Sequence, residues 1–295
     1  MADSKLVGII GLGIMGGAIA RNLLAAGYRI VGHDIDEAKR KEMASAGVEM
    51  VNGAAAVAGT AETILTSLPK ESALEATVRE IAGAKLPRRI VAELSTFSLD
   101  DKQSAQRVLQ EAGHVLLDCP LSGTGSQAKT KDLTVYASGD SAAIKSIRPV
   151  LQAFSKDVYD LGAFANGSRM KYVANLLVAI NNVASAEAMV LGIKAGLDPK
   201  QIVEVIGKGA GNSRVLELRG PMMAENRYDE PTMRISTWHK DMKVIGQYAT
   251  SLGVPTPLFS ATLPIYAAAS AQGHGDRDTA AVCAVLEQMA GVKRR

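Results

Sequence analysis

Three glycines within six residues, Gly11, Gly13 and Gly16, follow the apolar run Leu6–Ile10 and lead into the alanine-rich segment Ala18–Ala26, which stops at Gly27. The order is strand, tight turn, helix. In G-x-G-x-x-G the first glycine permits the turn, the second lets the backbone approach a pyrophosphate, and the third lets helix and strand pack closely. Amides at the start of a helix also favour negative phosphate groups. The whole turn, Gly11, Leu12, Gly13, Ile14, Met15 and Gly16, is therefore a candidate dinucleotide cradle. A bare turn would use glycine too, and the continuation decides between them. Arg29–Asp34 reads as a second strand, placing Asp34 about 20 residues beyond the glycines, where a carboxylate accepts from a ribose hydroxyl. That carboxylate repels a 2′-phosphate and Ile35 follows it, so NAD is favoured over NADP, with Lys39 and Arg40 keeping NADP possible.

Strand-like runs continue at Thr63–Leu68, Arg89–Leu94 and Val115–Asp118, separated by helical segments near Glu71–Ile81 and Leu99–Ala112. This alternation predicts an α/β Rossmann domain with a doubly wound, mostly parallel sheet. Leu133–Ala137 and Asp157–Tyr159 are expected to complete that sheet near residue 160. Ligands gather beyond the carboxyl ends of such strands, which marks Leu68-Pro69, Ser95-Thr96 and Ser122-Gly123-Thr124 as candidate site loops. From Ser168 to Lys194 there is no strand signal. This stretch reads as one long helix opening with Ser168 as a cap, followed by helices starting at Asp198-Pro199 and covering Trp238–Leu252, Pro257–Ala271 and Thr279–Met289. The chain thus divides into a dinucleotide-binding domain, 1–165, and an all-α domain for substrate and oligomerisation, 166–295. Its 295 residues suit two domains of roughly 100–200 residues each.

Composition narrows the class. With 47% hydrophobic and 21% charged residues the chain has material for true cores, and 33 basic against 30 acidic residues gives only +3, without the basic footprint of a nucleic-acid or membrane binder. The one basic cluster, Lys293-Arg294-Arg295, is expected to be solvated. Met1–Ile10 has neither a basic leader nor a long apolar segment, and the two cysteines, Cys119 and Cys283, match no disulfide or metal spacing; a reducing cytoplasm and no metal are expected. The long helix approaches a membrane span in length, but Lys171, Asn175, Asn181, Asn182 and Glu187 interrupt it.

Within that helix Lys171, Asn175, Val178 and Asn182 share one face. Buried amine and amides need partners, which makes this face a candidate site. The plain alternative is a lysine reaching solvent and asparagines tying neighbouring helices. Among the histidines His239 is an alternative acid/base residue, Asp278 a helix cap and Cys119 core packing.

The segments GLGIMGGAIARNL, DCPLSGTGSQAKTKDLTVYASGD, GSRMKYVANLLVAINNVASAEAMVLGIKAGLD and HKD together resemble the β-hydroxyacid dehydrogenase family over essentially the whole chain. The resemblance implies a Rossmann domain, a helical domain and oxidation of the β-hydroxyl of a small carboxylic acid with a nicotinamide cofactor. By position it implies Lys171 as the catalytic lysine, with Asn175 holding substrate beside it. Ser122, Gly123 and Thr124 then bind the substrate carboxylate, Leu68, Pro69, Thr96 and Lys240 meet the cofactor, and Asp241 is the acidic partner of Lys240. It also implies a homodimer or homotetramer. Thr124, Gln127, Lys131 and Met233 depart from the usual pattern: the Thr124 hydroxyl and the charge of Lys129 or Lys131 point to a more polar or more acidic substrate such as threonate, and Met233 to a pocket wall of different shape. A non-catalytic NAD(P)-binding sensor or scaffold and an imine-reductase-like enzyme are the alternatives within this architecture.

Overall fold

The computed structural model describes residues 5–294; Met1–Ser4 and Arg295, and with them part of the leader and tail readings, lie outside the described residues. The contacts divide the chain into two units, Met1–Lys171 and Tyr172–Arg295.

In the first unit β1 (Leu6–Ile10), α1 (Ile14–Ala25), β2 (Arg29–His33), α2 (Glu37–Ser45), β3 (Glu49–Met50), α3 (Ala54–Thr60), β4 (Thr63–Thr66), α4 (Glu71–Gly83), β5 (Ile90–Glu93), α5 (Leu99–Glu111) and β6 (Val115–Asp118) alternate. The strands form one six-stranded sheet in the order β3-β2-β1-β4-β5-β6, every pairing parallel. Continuous apolar strands are what a parallel sheet covered on both faces requires. Two apolar clusters do the covering: Ile19 and Leu23 of α1 with Ile9, and Val57, Val78 and Ile81 with Ile64 and Val91. The order reverses between β1 and β4, so the ends of those strands flank the topological switch point where doubly wound folds bind ligands.

One strand assignment is corrected. β7 (Leu121–Ser122), β8 (Thr134–Ala137) and β9 (Asp157–Asp160) form a separate three-stranded sheet and do not extend the main one. β7 continues in the direction of β6, and both run antiparallel to β8 in one register, Asp118 opposite Ser138, Leu121 opposite Val135 and Ser122 opposite Thr134. The chain reverses between Ser122 and Thr134, and the Asp118–Ser138 bridge joins the two sheets. Between them lie α6 (Gly125–Lys129) and, before β9, α7 (Ser141–Phe154).

The helix α8 (Asn166–Lys194) leaves the first unit and runs through the second. It is long and apolar enough by composition to cross a membrane. Its buried Asn182 donates to Tyr266 Oη at 2.8 Å and to the carbonyl of Thr279 at 2.9 Å, an amide tying helices together as the plainer reading of that face expects. Ser168 is not its cap: the helix starts two residues earlier, and Ser168 is 1% exposed within the first turn. The second unit continues with α9 (Pro199–Ile206), α10 (Arg214–Glu225), α11 (Ile235–Ser251), α12 (Pro257–Ala271), a 3-10 turn Thr279–Ala281 and α13 (Val282–Met289). It is all helical among the described residues, apart from one isolated bridge between Arg234 and Asp278.

Of the basic tail Lys293 is exposed, as expected, while Arg294 is not simply solvated. Arg294 folds back, pairing with Glu287 at 2.6 Å and donating to the carbonyls of Met223 and Ala224, where a guanidinium complements the negative end of α10. Asp278 does more than cap the 3-10 turn. Fully buried, it accepts from the amides of Ala280, Thr232 and Met233 and from Thr232 Oγ1, and faces Arg219 at 3.4 Å. Replacing Asp278 by alanine strands these donors and the Arg219 charge, and is expected to cost about 3–5 kcal/mol in urea unfolding. A loss below about 1 kcal/mol would contradict that role.

Candidate functional site

The glycine turn is shaped by close approaches. Gly11 has φ +88°, and a Cβ there would stand 2.1 Å from the Ser67 carbonyl; at Gly16 it would stand 1.9 Å from the Gly11 carbonyl. Neither contact is possible for a side chain, so both glycines are demanded by packing. Gly13 differs, because a Cβ there would meet nothing within 4 Å. Packing does not explain its glycine, whereas a ligand brought up against the backbone does. Gly13 is also the N-cap of α1 and offers no side-chain bond, so the amides of Ile14, Met15 and Gly16 begin the helix without a cap acceptor. Leu12 donates its amide to Asp34 Oδ2 at 2.6 Å, and Asp36 donates to Asp34 Oδ1 at 2.8 Å. The carboxylate is thereby fixed at the end of β2, with an acceptor lone pair left on each oxygen. Arg40 Nη1 donates to the carbonyls of Asp34 and Ile35, so the guanidinium stays beside this position without pairing the carboxylate. These residues fit a dinucleotide.

The neighbouring loops are held the same way. Leu68 donates its amide to Ser95 Oγ at 2.8 Å, and Ser95 donates to Glu93 Oε1, which links the Leu68-Pro69 loop to the Ser95-Thr96 loop. Ser122 lies on β7, its backbone paired with Thr134. Gly123 has φ +130° and turns the chain into α6, where the Thr124 amide donates to Gln127 Oε1 at 3.1 Å and Thr124 Oγ1 lies 2.9 Å from Ser126 Oγ. Gln127 Nε2 donates in turn to Asp132. Of the residues that depart from the family pattern, Thr124 and Gln127 thus belong to one hydrogen-bonded loop that carries the hydroxyls of Thr124 and Ser126, while Lys131, like Lys129, is exposed.

Lys171 closes the first unit and is 8% exposed; Asn175, one helical turn on, is 4% exposed. In the second unit Asn175 Nδ2 donates to Asp241 Oδ2 at 3.0 Å, and Lys240 Nζ pairs with Asp241 Oδ1 at 3.2 Å, so one buried carboxylate orients both. Trp238 is 3% exposed and packs against Tyr266, and His239 Nε2 lies 2.7 Å from Ser270 Oγ; these are internal contacts of the helical unit. Cys119 is buried and free, and burial pushes its thiol well above the usual range, so it packs and does not react. No group of three His, Cys, Asp or Glu residues able to hold a metal occurs among the described residues.

Sequence reading missed one cluster. Lys102 of α5 is fully buried between Glu93 and Asp118, with 2.9 Å from its Nζ to Asp118 Oδ1. Burial alone would lower the Lys102 pKa, but the two carboxylates more than reverse this and hold it well above its ordinary value. The available signal was that two apolar strands end in an acid at matching register, Glu93 opposite Asp118.

A test separates the two kinds of glycine. Gly13→Val should leave thermal stability without cofactor nearly unchanged and weaken NAD binding at least about tenfold in calorimetry, since its side chain fills the space a ligand needs. Gly16→Val should unfold the turn itself, and equal behaviour of the two variants would contradict this account.

Residues 6–162 match the family model for the NAD binding domain of 6-phosphogluconate dehydrogenase, and residues 165–286 the model for the NAD-binding region of NADP-dependent 3-hydroxyisobutyrate dehydrogenase. The chain is 31% identical to the 2-(hydroxymethyl)glutarate dehydrogenase of Eubacterium barkeri, covering 99% of this chain and 98% of the relative. It is 32% identical to the L-threonate dehydrogenase of Cupriavidus necator, covering 96% of each. Among solved structures, 3-hydroxyisobutyrate dehydrogenase from Salmonella typhimurium matches with a TM-score of 0.86 at 30% identity, covering 95% of this chain and 99% of that one. With the nucleotide turn, the serine loop and the buried lysine in place, the chain belongs to the β-hydroxyacid dehydrogenase family, NAD-binding oxidoreductases that act on the hydroxyl group of small hydroxy acids.

Proposed function

We propose that this enzyme oxidises the β-hydroxyl of a polyhydroxylated or otherwise polar short acid, of the kind named for its threonate and hydroxymethylglutarate relatives, with NAD preferred to NADP. The observation that carries the catalytic part is Lys171, buried on a largely apolar helix one turn before an amide already oriented by a carboxylate. Bound nicotinamide supplies the hydride acceptor. The proton of the alcohol must leave as the hydride does, and Lys171 Nζ is the group assigned to take it; in the reverse direction the ammonium returns it. Asn175 orients the oxygen, with its own amide nitrogen fixed by Asp241. Ser122 and Gly123 hold the carboxylate, which decides the carbon that faces the cofactor. The Thr124 amide is engaged by Gln127, so Thr124 contributes its hydroxyl, beside that of Ser126. Paired hydroxyls suit a substrate with several hydroxyls better than one with a bare methyl branch.

The preference for NAD rests on Asp34, pinned by two amides where a 2′-phosphate would have to sit. Thr96, Leu68, Pro69 and Lys240 are assigned to the rest of the cofactor. Imine reductases share the fold alone with this chain. A scaffold role has no support in the retained Lys171. A homodimer or homotetramer is supported by apolar side chains exposed on the helical unit, Leu191, Val205, Leu258 and Met289 among them. Both cysteines are buried and free, which suits a reducing cytoplasm.

Two measurements test the reading. Lys171→Ala should lower kcat about 10²–10⁴-fold at 340 nm on a panel of β-hydroxy acids while NAD binding stays within about twofold. Retained turnover would overturn the assignment of Lys171, and no turnover by the wild type on any acid would favour a scaffold. Wild-type kcat/KM should be at least about tenfold higher with NAD than with NADP, and a ratio reversed in favour of NADP would show that Arg40 and not Asp34 governs the choice.

A further inference from the structure

The clamp on the start of α8 has no place in the chemistry above, and it lies within the first unit. Asp118, fully buried, accepts the Ser168 amide on Oδ2 at 2.7 Å and the Ser168 hydroxyl on Oδ1 at 2.8 Å. The same Oδ1 takes Lys102, which also pairs with Glu93. Gly167 donates its amide to Ser138 Oγ at 2.9 Å, and a Cβ on Gly167 would stand 2.3 Å from the Tyr136 carbonyl and 2.7 Å from the Asp118 carbonyl. The first turn of α8 is therefore pressed onto the backbone of β6 and β8 and pinned by a carboxylate that is itself pinned by a buried lysine.

Two carboxylates and one ammonium in a dry interior are a poor device for stability alone, since apolar residues of similar volume are often as stabilising. Charged hydrogen bonds do fix direction closely. Ser168 stands three residues before Lys171, so its hydroxyl is where that direction enters the helix turn bearing the amine. Glu93, through Ser95 to the Leu68 amide, extends the same network to a loop assigned to the cofactor.

We propose that Ser168 is a positioning residue through which the buried Lys102–Glu93–Asp118 cluster sets the placement of the Lys171 amine relative to the cofactor loops. The proposal rests on the assignment of Lys171 as the proton-transfer group. A small displacement of such a group lowers the chemical step without altering binding.

The experiment is steady-state and pH-dependent kinetics of the full-length enzyme with NAD and the best acid of the panel. Ser168→Ala should reduce kcat about tenfold and move the pH at which kcat rises, with the KM for NAD unchanged. The near-isosteric Ser168→Cys, a weaker donor, should give a smaller change in the same direction and keeps the test alive where Ser168→Ala is not recovered folded. Wild-type kcat and pH profile in either folded variant, with only the melting temperature lowered, would overturn the proposal and leave a structural clamp. Lys171→Ala measured alongside tells the two failures apart. If it stays active, the reading of Lys171 has failed; if it is inactive while Ser168→Ala is normal, only the positioning role has.

Discussion

The Asp118 carboxylate is the point on which the first unit turns. It ends the last strand of the parallel sheet, its backbone bridges to Ser138 directly after β8, and its side chain receives the first turn of the long helix. A buried carboxylate is tolerable only when its lone pairs are filled. Here Lys102, Ser138 and Ser168 fill them, and each of these residues comes from a different element. One desolvated charge thus forces α5, β8 and α8 to converge at the carboxyl edge of the sheet, the edge that doubly wound folds use for ligands.

Around that edge the work is divided by chemistry. Backbone amides at Gly13–Gly16 are left without a cap acceptor, the Asp34 carboxylate is pinned by two amides, and the hydroxyls of Thr124 and Ser126 are paired beside Gly123; the roles proposed for these groups are to meet phosphate, ribose and substrate. Within the helical unit, taken by itself, Asp241 orients an amide and a lysine, Asn175 and Lys240. The charged groups of these sets are held by neighbours before any ligand arrives, which is how a site avoids reorganisation during the reaction.

Local signals were the legible ones. The glycine turn could be read because glycine spacing reports backbone clearance directly, and the clearances at Gly11 and Gly16 agree. The helix face of Lys171 and Asn175 was legible from its period. Asn182, on the same face, turned out to serve packing, since nothing in its spacing tells a ligand from Tyr266. The non-local features were hidden. β8 and β9 alternate like parallel strands, and only the reversal after Ser122, which brings β8 back antiparallel to β7, separates them from the main sheet. Ser168 looked like a cap because its true partner lies 50 residues earlier. Lys102 sits in LDDKQSAQRVLQE, a segment as polar as any surface helix, and its burial follows from two strand-end acids that only the register brings opposite each other.

The most direct test is a crystal structure of the enzyme with NAD and an unreactive analogue of its preferred acid. The account predicts Lys171 Nζ at roughly 2.6–3.2 Å from the oxygen that stands for the substrate hydroxyl, with the carboxylate on Ser122 and Gly123. An analogue bound with that nitrogen turned away, and another side chain on the oxygen, would contradict it.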